Sequence, residues 1–126
     1  MRLARNHASI LAQASLMVAT LCWSILATAS DADNGRILYR NNCSQCHGLK
    51  GTGKGINAPH LEVAPRNHTD HDEMIARTDE ELFKAISEGG QSVNKSVLMP
   101  NWGKTLSPEE IEDLVAYLRV LCCQEQ

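Results

Sequence analysis

Cys43-Ser44-Gln45-Cys46-His47 stands in the first half of a chain of 126 residues. Its pattern, C-x-x-C-H, is the attachment signature of a c-type haem. The spacing has a chemical reason. Two cysteines separated by two residues reach the two vinyl groups of one haem, and the short loop brings the following imidazole to the iron from the same side. One covalently attached haem c is therefore expected, bonded by Cys43 and Cys46, with His47 on the iron. Rival uses of the motif need companions that this chain lacks. A zinc ribbon wants a second C-x-x-C or a His pair at finger spacing, and the other mature cysteines, Cys122 and Cys123, are adjacent. A thioredoxin-like site wants a βαβ context, and nothing here reads as a strand.

Working outward from the motif, Gly48-Leu49-Lys50-Gly51-Thr52-Gly53-Lys54-Gly55 falls one residue short of a phosphate-binding loop. Gly55 stands where the magnesium-binding hydroxyl belongs, no apolar strand precedes the run, and no helix follows before Pro59. The glycines instead suit a loop whose backbone passes close to the haem. Further on, Val97-Leu98-Met99-Pro100 offers a second axial ligand. Pro100 keeps Met99 out of helical geometry, so the thioether is expected on a loop crossing the far haem face. His60, His68 and His71 are the rival ligands, and a bis-His iron would sit at lower potential than a His/Met one. His68 and His71, beside Asp70 and Asp72, are otherwise a candidate surface metal site or part of a solvated connection. Met74, among charged neighbours, reads as a solvated turn.

Upstream lies a leader. Residues 1–29 carry Arg2 and Arg5, then an uncharged run from Ile10 to Leu26, then Ala27-Thr28-Ala29. That is the three-part secretory pattern, with cleavage expected after Ala29 and export to the periplasm. An uncleaved anchor and acylation of Cys22 are the competing readings. Loss of the leader takes the formal charge from -3 to -5, which argues against nucleic acid as a partner. With aromatic residues at 4%, the chain has little bulky apolar surface, a deficit that a cofactor would offset.

Three helices are legible around the motif. Asp33 to Asn42 leads into it. Thr78-Asp79-Glu80-Glu81 has the capping-box form, and Gly89-Gly90 closes the helix that it starts. Ser107-Pro108-Glu109-Glu110 opens another, in which Ile111, Leu114, Val115 and Leu118 share one face. The expectation is an all-α domain over 30–126, with about three to four short helices around one haem.

These residues together resemble a class I cytochrome c of the small single-haem bacterial type, over nearly all of 33–121. Gly35, Tyr39 and Cys43 repeat the family's Gly-x-x-x-aromatic-x-x-x-Cys spacing, and Leu114 to Leu118 resembles its final-helix pattern. The resemblance implies that these two helices cross, with Tyr39 and Tyr117 packed at the contact. It also implies that the carbonyl of Pro59 accepts the His47 Nδ1 proton. Cys122, Cys123 and Trp102 fall outside the pattern. For the cysteines, free thiols, a link to another chain and an unimportant tail all stay open, since adjacent cysteines make only a strained pair; Trp102 is expected to pack near the haem.

An iron with both axial positions filled has no place for substrate, so the expected role is one-electron transfer between redox proteins rather than catalysis. An open iron acting as an enzyme or gas-ligand sensor is the alternative. Residues 42–61 and 90–106 contain Lys50, Lys54, Lys95 and Lys104 and no acid, whereas 70–88 and 107–126 are acidic. A basic haem edge directed at an acidic partner patch is expected from that contrast.

Overall fold

Side-chain caps determine where four of the five α-helices among the described residues begin. In the computed structural model, which describes residues 29–124, Asp31 accepts hydrogen bonds from the backbone N–H groups of Asp33 and Asn34 and starts α1, Ala32–Asn42. A single turn, α2, Ser44–His47, holds the C-x-x-C-H motif, and α3 is the short helix His71–Ile75. Thr78 and Glu81 exchange hydrogen bonds of 3.2 and 2.9 Å in a capping box that opens α4, Asp79–Glu88. Ser107 and Glu110 do the same for α5, Pro108–Cys123, with Pro108 in the first turn where its missing N–H costs nothing. Three 3-10 turns, Ala58–His60, Gly90–Val93 and Trp102–Lys104, punctuate the connections. Among the described residues there is no strand, and no helix is long and apolar enough to cross a membrane. The expected leader and Cys22 lie outside the described residues, Ala29 apart.

The core forms where α1 crosses α5. A Cβ on Gly35 would sit 1.9 Å from the Asp113 carbonyl oxygen and 3.0 Å from the Tyr117 Cβ, so glycine is what lets the two backbones touch. Tyr39 meets Tyr117 edge to face at 5.3 Å between ring centroids. Asp113 also accepts from the Asp31 N–H and from the Asn34 amide, which fixes the crossing at its outer end. Ile111, Leu114 and Leu118 of α5 then pack with Leu82 and Ile86 of α4.

Two expectations need correction. Met74 is wholly buried in the core rather than in a solvated turn. Asp70 caps a helix short enough that His71, Asp72 and Glu73 take its outer side while Met74 turns inward. Arg119 of α5 locks that helix down, donating to the carbonyls of Met74 and Arg77 at 2.8 and 2.6 Å and to Asp79. Cys122 and Cys123 are joined to each other by a disulfide, the pairing that strain argued against, in the last turn of α5 and half-buried against the core.

Candidate functional site

The turn α2 grows directly from α1. The Cys43 N–H closes the first helix on the Tyr39 carbonyl, and the His47 N–H donates back to the Cys43 carbonyl. Residues three and four apart share a helix face, so Cys43, Cys46 and His47 all reach one cleft of about 780 Å³. That volume is of the size that holds a large organic cofactor. Both cysteines are free thiols there, in contrast to the oxidised pair at the end of α5. Burial, with Cys46 adding to it, pushes the Cys43 thiol up to about 12. Leu82, Ile86, Leu114 and Leu118 supply apolar lining to the same cleft.

The glycine-rich loop does not line this cleft. It folds back on α2 and takes its unpaired carbonyls: Gly53 N–H donates to His47, Gly55 N–H to Cys46 and Asn57 N–H to Gln45. A Cβ on Gly55 would meet the Gln45 carbonyl oxygen at 2.2 Å. The glycines therefore permit contact with the motif's own helix, and neither the phosphate loop nor a backbone laid on the haem is formed.

His47 hydrogen-bonds through Nδ1 to the Arg66 carbonyl at 3.0 Å, so Nδ1 carries the proton and Nε2 is left unprotonated. Pro59, the acceptor implied by the resemblance, is exposed in a 3-10 turn and does not line the cleft, and the chain reaches His47 later, at Arg66. Arg66 is itself tied by its guanidinium to Glu73 at the start of α3. Burial lowers the pKa of His47, against the opposing effect of the Arg66 hydrogen bond. The shift favours the neutral ring, the form that ligates a metal.

Met99 reaches the same cleft from the loop between Gly90–Val93 and Trp102–Lys104. Its carbonyl accepts from the Gly90 N–H, and a Cβ on Gly89 would lie 2.8 Å from that same oxygen. The Gly89-Gly90 pair that ends α4 thus also seats the Met99 loop. Trp102 lines the cleft and packs on the core, as expected.

The three other histidines separate. His60 and His71 are exposed and do not line the cleft, and His71 contacts only the neighbouring Asp72. His68 is buried, with its Nδ1 3.0 Å from the Tyr39 hydroxyl and its ring stacked on that of His47. Stacked face to face, His68 and His47 stand on the same side of the cleft. The surface metal site drawn from His68 and His71 is not formed, and no group of three or more ligating side chains occurs among the described residues. Sequence reasoning had His68 among the rival ligands, but it missed the stacking of His68 on His47 and the Arg66 carbonyl as the acceptor for His47, two contacts that no side-chain pattern marks.

Comparison with known proteins places this architecture. Residues 30–118 match the model of the family described as cytochrome c oxidase, cbb3-type, subunit III. The chain is 33% identical to cytochrome c6 of Gloeothece citriformis, across 82% of this chain and 84% of that one. It is 30% identical to the cytochrome c-553-like protein of Synechocystis, across 77% and 75%. Among solved structures, the KustC0563 c-type cytochrome superposes with a TM-score of 0.57 at 26% identity, over 70% of this chain and 96% of that one.

Proposed function

From the chain's membership of the c-type cytochromes, in the cbb3-type subunit III family, we propose that it is a single-electron carrier whose iron is held by His47 and Met99. The family binds haem c covalently and transfers electrons between redox proteins, and the free thiols of Cys43 and Cys46 at the cleft fit the two thioether bonds. The observation that carries the ligand assignment is that His47 and Met99, from opposite halves of the domain's sequence, line one cleft with those thiols. When bound, the haem supplies reversible one-electron chemistry between Fe(II) and Fe(III). The Arg66 carbonyl holds the His47 proton at Nδ1, keeping Nε2 free and raising its basicity as a ligand. The Met99 thioether favours the reduced iron and raises the potential. Leu82, Leu114 and Leu118 line the cleft and would keep water from a haem held there. Residues 1–29 act in this reading as a cleaved leader, and the domain 30–126 works in the periplasm with protein donors and acceptors rather than with a substrate.

Absorption spectra of the purified protein test the ligand pair. The oxidised form is expected to show the weak long-wavelength band of sulfur-to-iron charge transfer, and the reduced form to resist carbon monoxide. Met99→Ala should abolish the band and admit carbon monoxide. A wild-type protein that lacks the band and binds carbon monoxide overturns the assignment in favour of an open iron.

A further inference from the structure

His68 has no part in the function above, yet it is 8% exposed and is held in place from two directions. Its backbone N–H donates to the Gly51 carbonyl at 2.6 Å. Its Nδ1 lies 3.0 Å from the Tyr39 hydroxyl. Against the face of this fixed ring lies His47, with centroids 4.2 Å apart and planes inclined by 16°. His47 is otherwise anchored through one edge, at the Arg66 carbonyl. A ring held at one edge can still rock about that contact, and a flat neighbour pressed on its face stops the rocking. Few side chains can do this and also hydrogen-bond the tyrosine hydroxyl: the residue must be flat and carry a hydrogen-bonding atom on its rim, which histidine supplies.

We propose that His68 is a positioning residue: its Tyr39-tethered imidazole, stacked on His47, fixes the angle at which the His47 ring stands over the haem. The inference rests on the reading of His47 as an iron ligand. The plane of an axial imidazole decides which iron d orbital its π electrons overlap, so its orientation registers in the g values of the low-spin ferric ion and in the midpoint potential.

Electron paramagnetic resonance and potentiometry of the oxidised, haem-loaded protein test it with three variants. His68→Gln keeps a hydrogen-bonding group for Tyr39 but removes the flat ring; it is expected to shift and broaden the highest g value beyond the wild-type line width and to move the potential, with the sulfur-to-iron band retained. His68→Phe restores a flat ring and should recover most of the wild-type signal. Tyr39→Phe removes only the tether and should shift the signal in the direction of His68→Gln by less. Wild-type g values and potential in His68→Gln overturn the proposal. Should that variant load no haem, Tyr39→Phe decides, and unchanged g values and line widths there overturn it. Failure of the underlying ligand reading is seen separately in the wild type, as a ferric spectrum that is not low-spin.

Discussion

A methyl group at position 35 has nowhere to go. It would overlap the Asp113 carbonyl oxygen and press on Tyr117, and both belong to helix backbone or its first side-chain atom, which cannot swing aside. Gly35→Ala is therefore expected to wedge α1 from α5 and to lower stability by about 3 kcal/mol, read as a drop in the denaturant midpoint of the haem-loaded protein. Position 35 was legible through the family resemblance, which its spacing to Tyr39 and Cys43 carries. Cys43, Cys46 and His47 were legible for a related reason, since covalent attachment leaves their spacing no freedom. Other residues gave no such handle. The acceptor for His47 is a backbone carbonyl, which every residue possesses, so no side-chain pattern marks Arg66 over Pro59. The burial of His68 depends on where Gly51 and Tyr39 meet in space. A polar ring in the run Asn67-His68-Thr69-Asp70 reads as solvated or as a rival ligand until that meeting is known.

Helix starts carry their own energetics. Ser107 satisfies the Glu110 N–H at the beginning of α5, the helix that brings Ile111, Leu114 and Leu118 to the core. Ser107→Ala is expected to cost about 1 kcal/mol, and Ser107→Gly only a few tenths, in denaturant unfolding followed by far-ultraviolet circular dichroism, with the haem spectrum unchanged before the transition. The two capping boxes made α4 and α5 readable in advance, because a hydroxyl followed by a glutamate three residues later leaves the start of a helix little choice. Neither of the short helices was readable. α2 is one turn created by the motif itself, and α3 spans five residues, too few for hydrophobic periodicity to register. What holds α3 is remote: Arg119, on a helix far along the chain, donates to the carbonyls at its end and just beyond.

Across the whole molecule the charge is less neatly divided than the segment totals suggest. Lys50, Lys54, Lys95 and Lys104 are all exposed, but only Lys95 lines the cleft, where Lys84 of α4 joins it. Asp70, Glu73 and Glu81 reach the same rim, because α3 and α4 lie beside the cleft, and they make it mixed rather than uniformly basic. Attraction to an acidic redox partner then depends on which lysines stand nearest the exit for electrons. Lys95→Gln is expected to slow association with such a partner and to flatten its dependence on ionic strength, more than Lys50→Gln or Lys104→Gln does. Equal, wild-type salt slopes in stopped-flow mixing of all three would exclude electrostatic docking at the cleft. The crossing of α1 on α5 has a further bearing, on the order in which the chain assembles. The two helices are separated by the entire cofactor-binding stretch, so joining them first would close one large loop at an entropic cost of about 4 kcal/mol before any core contact rewards it. A haem fixed at Cys43 and Cys46 is anchored to the end of α1, and each segment that settles on it divides that loop into smaller ones. Maturation of the cofactor thus becomes a folding step, with the attached haem a staging point through which the last helix finds the first.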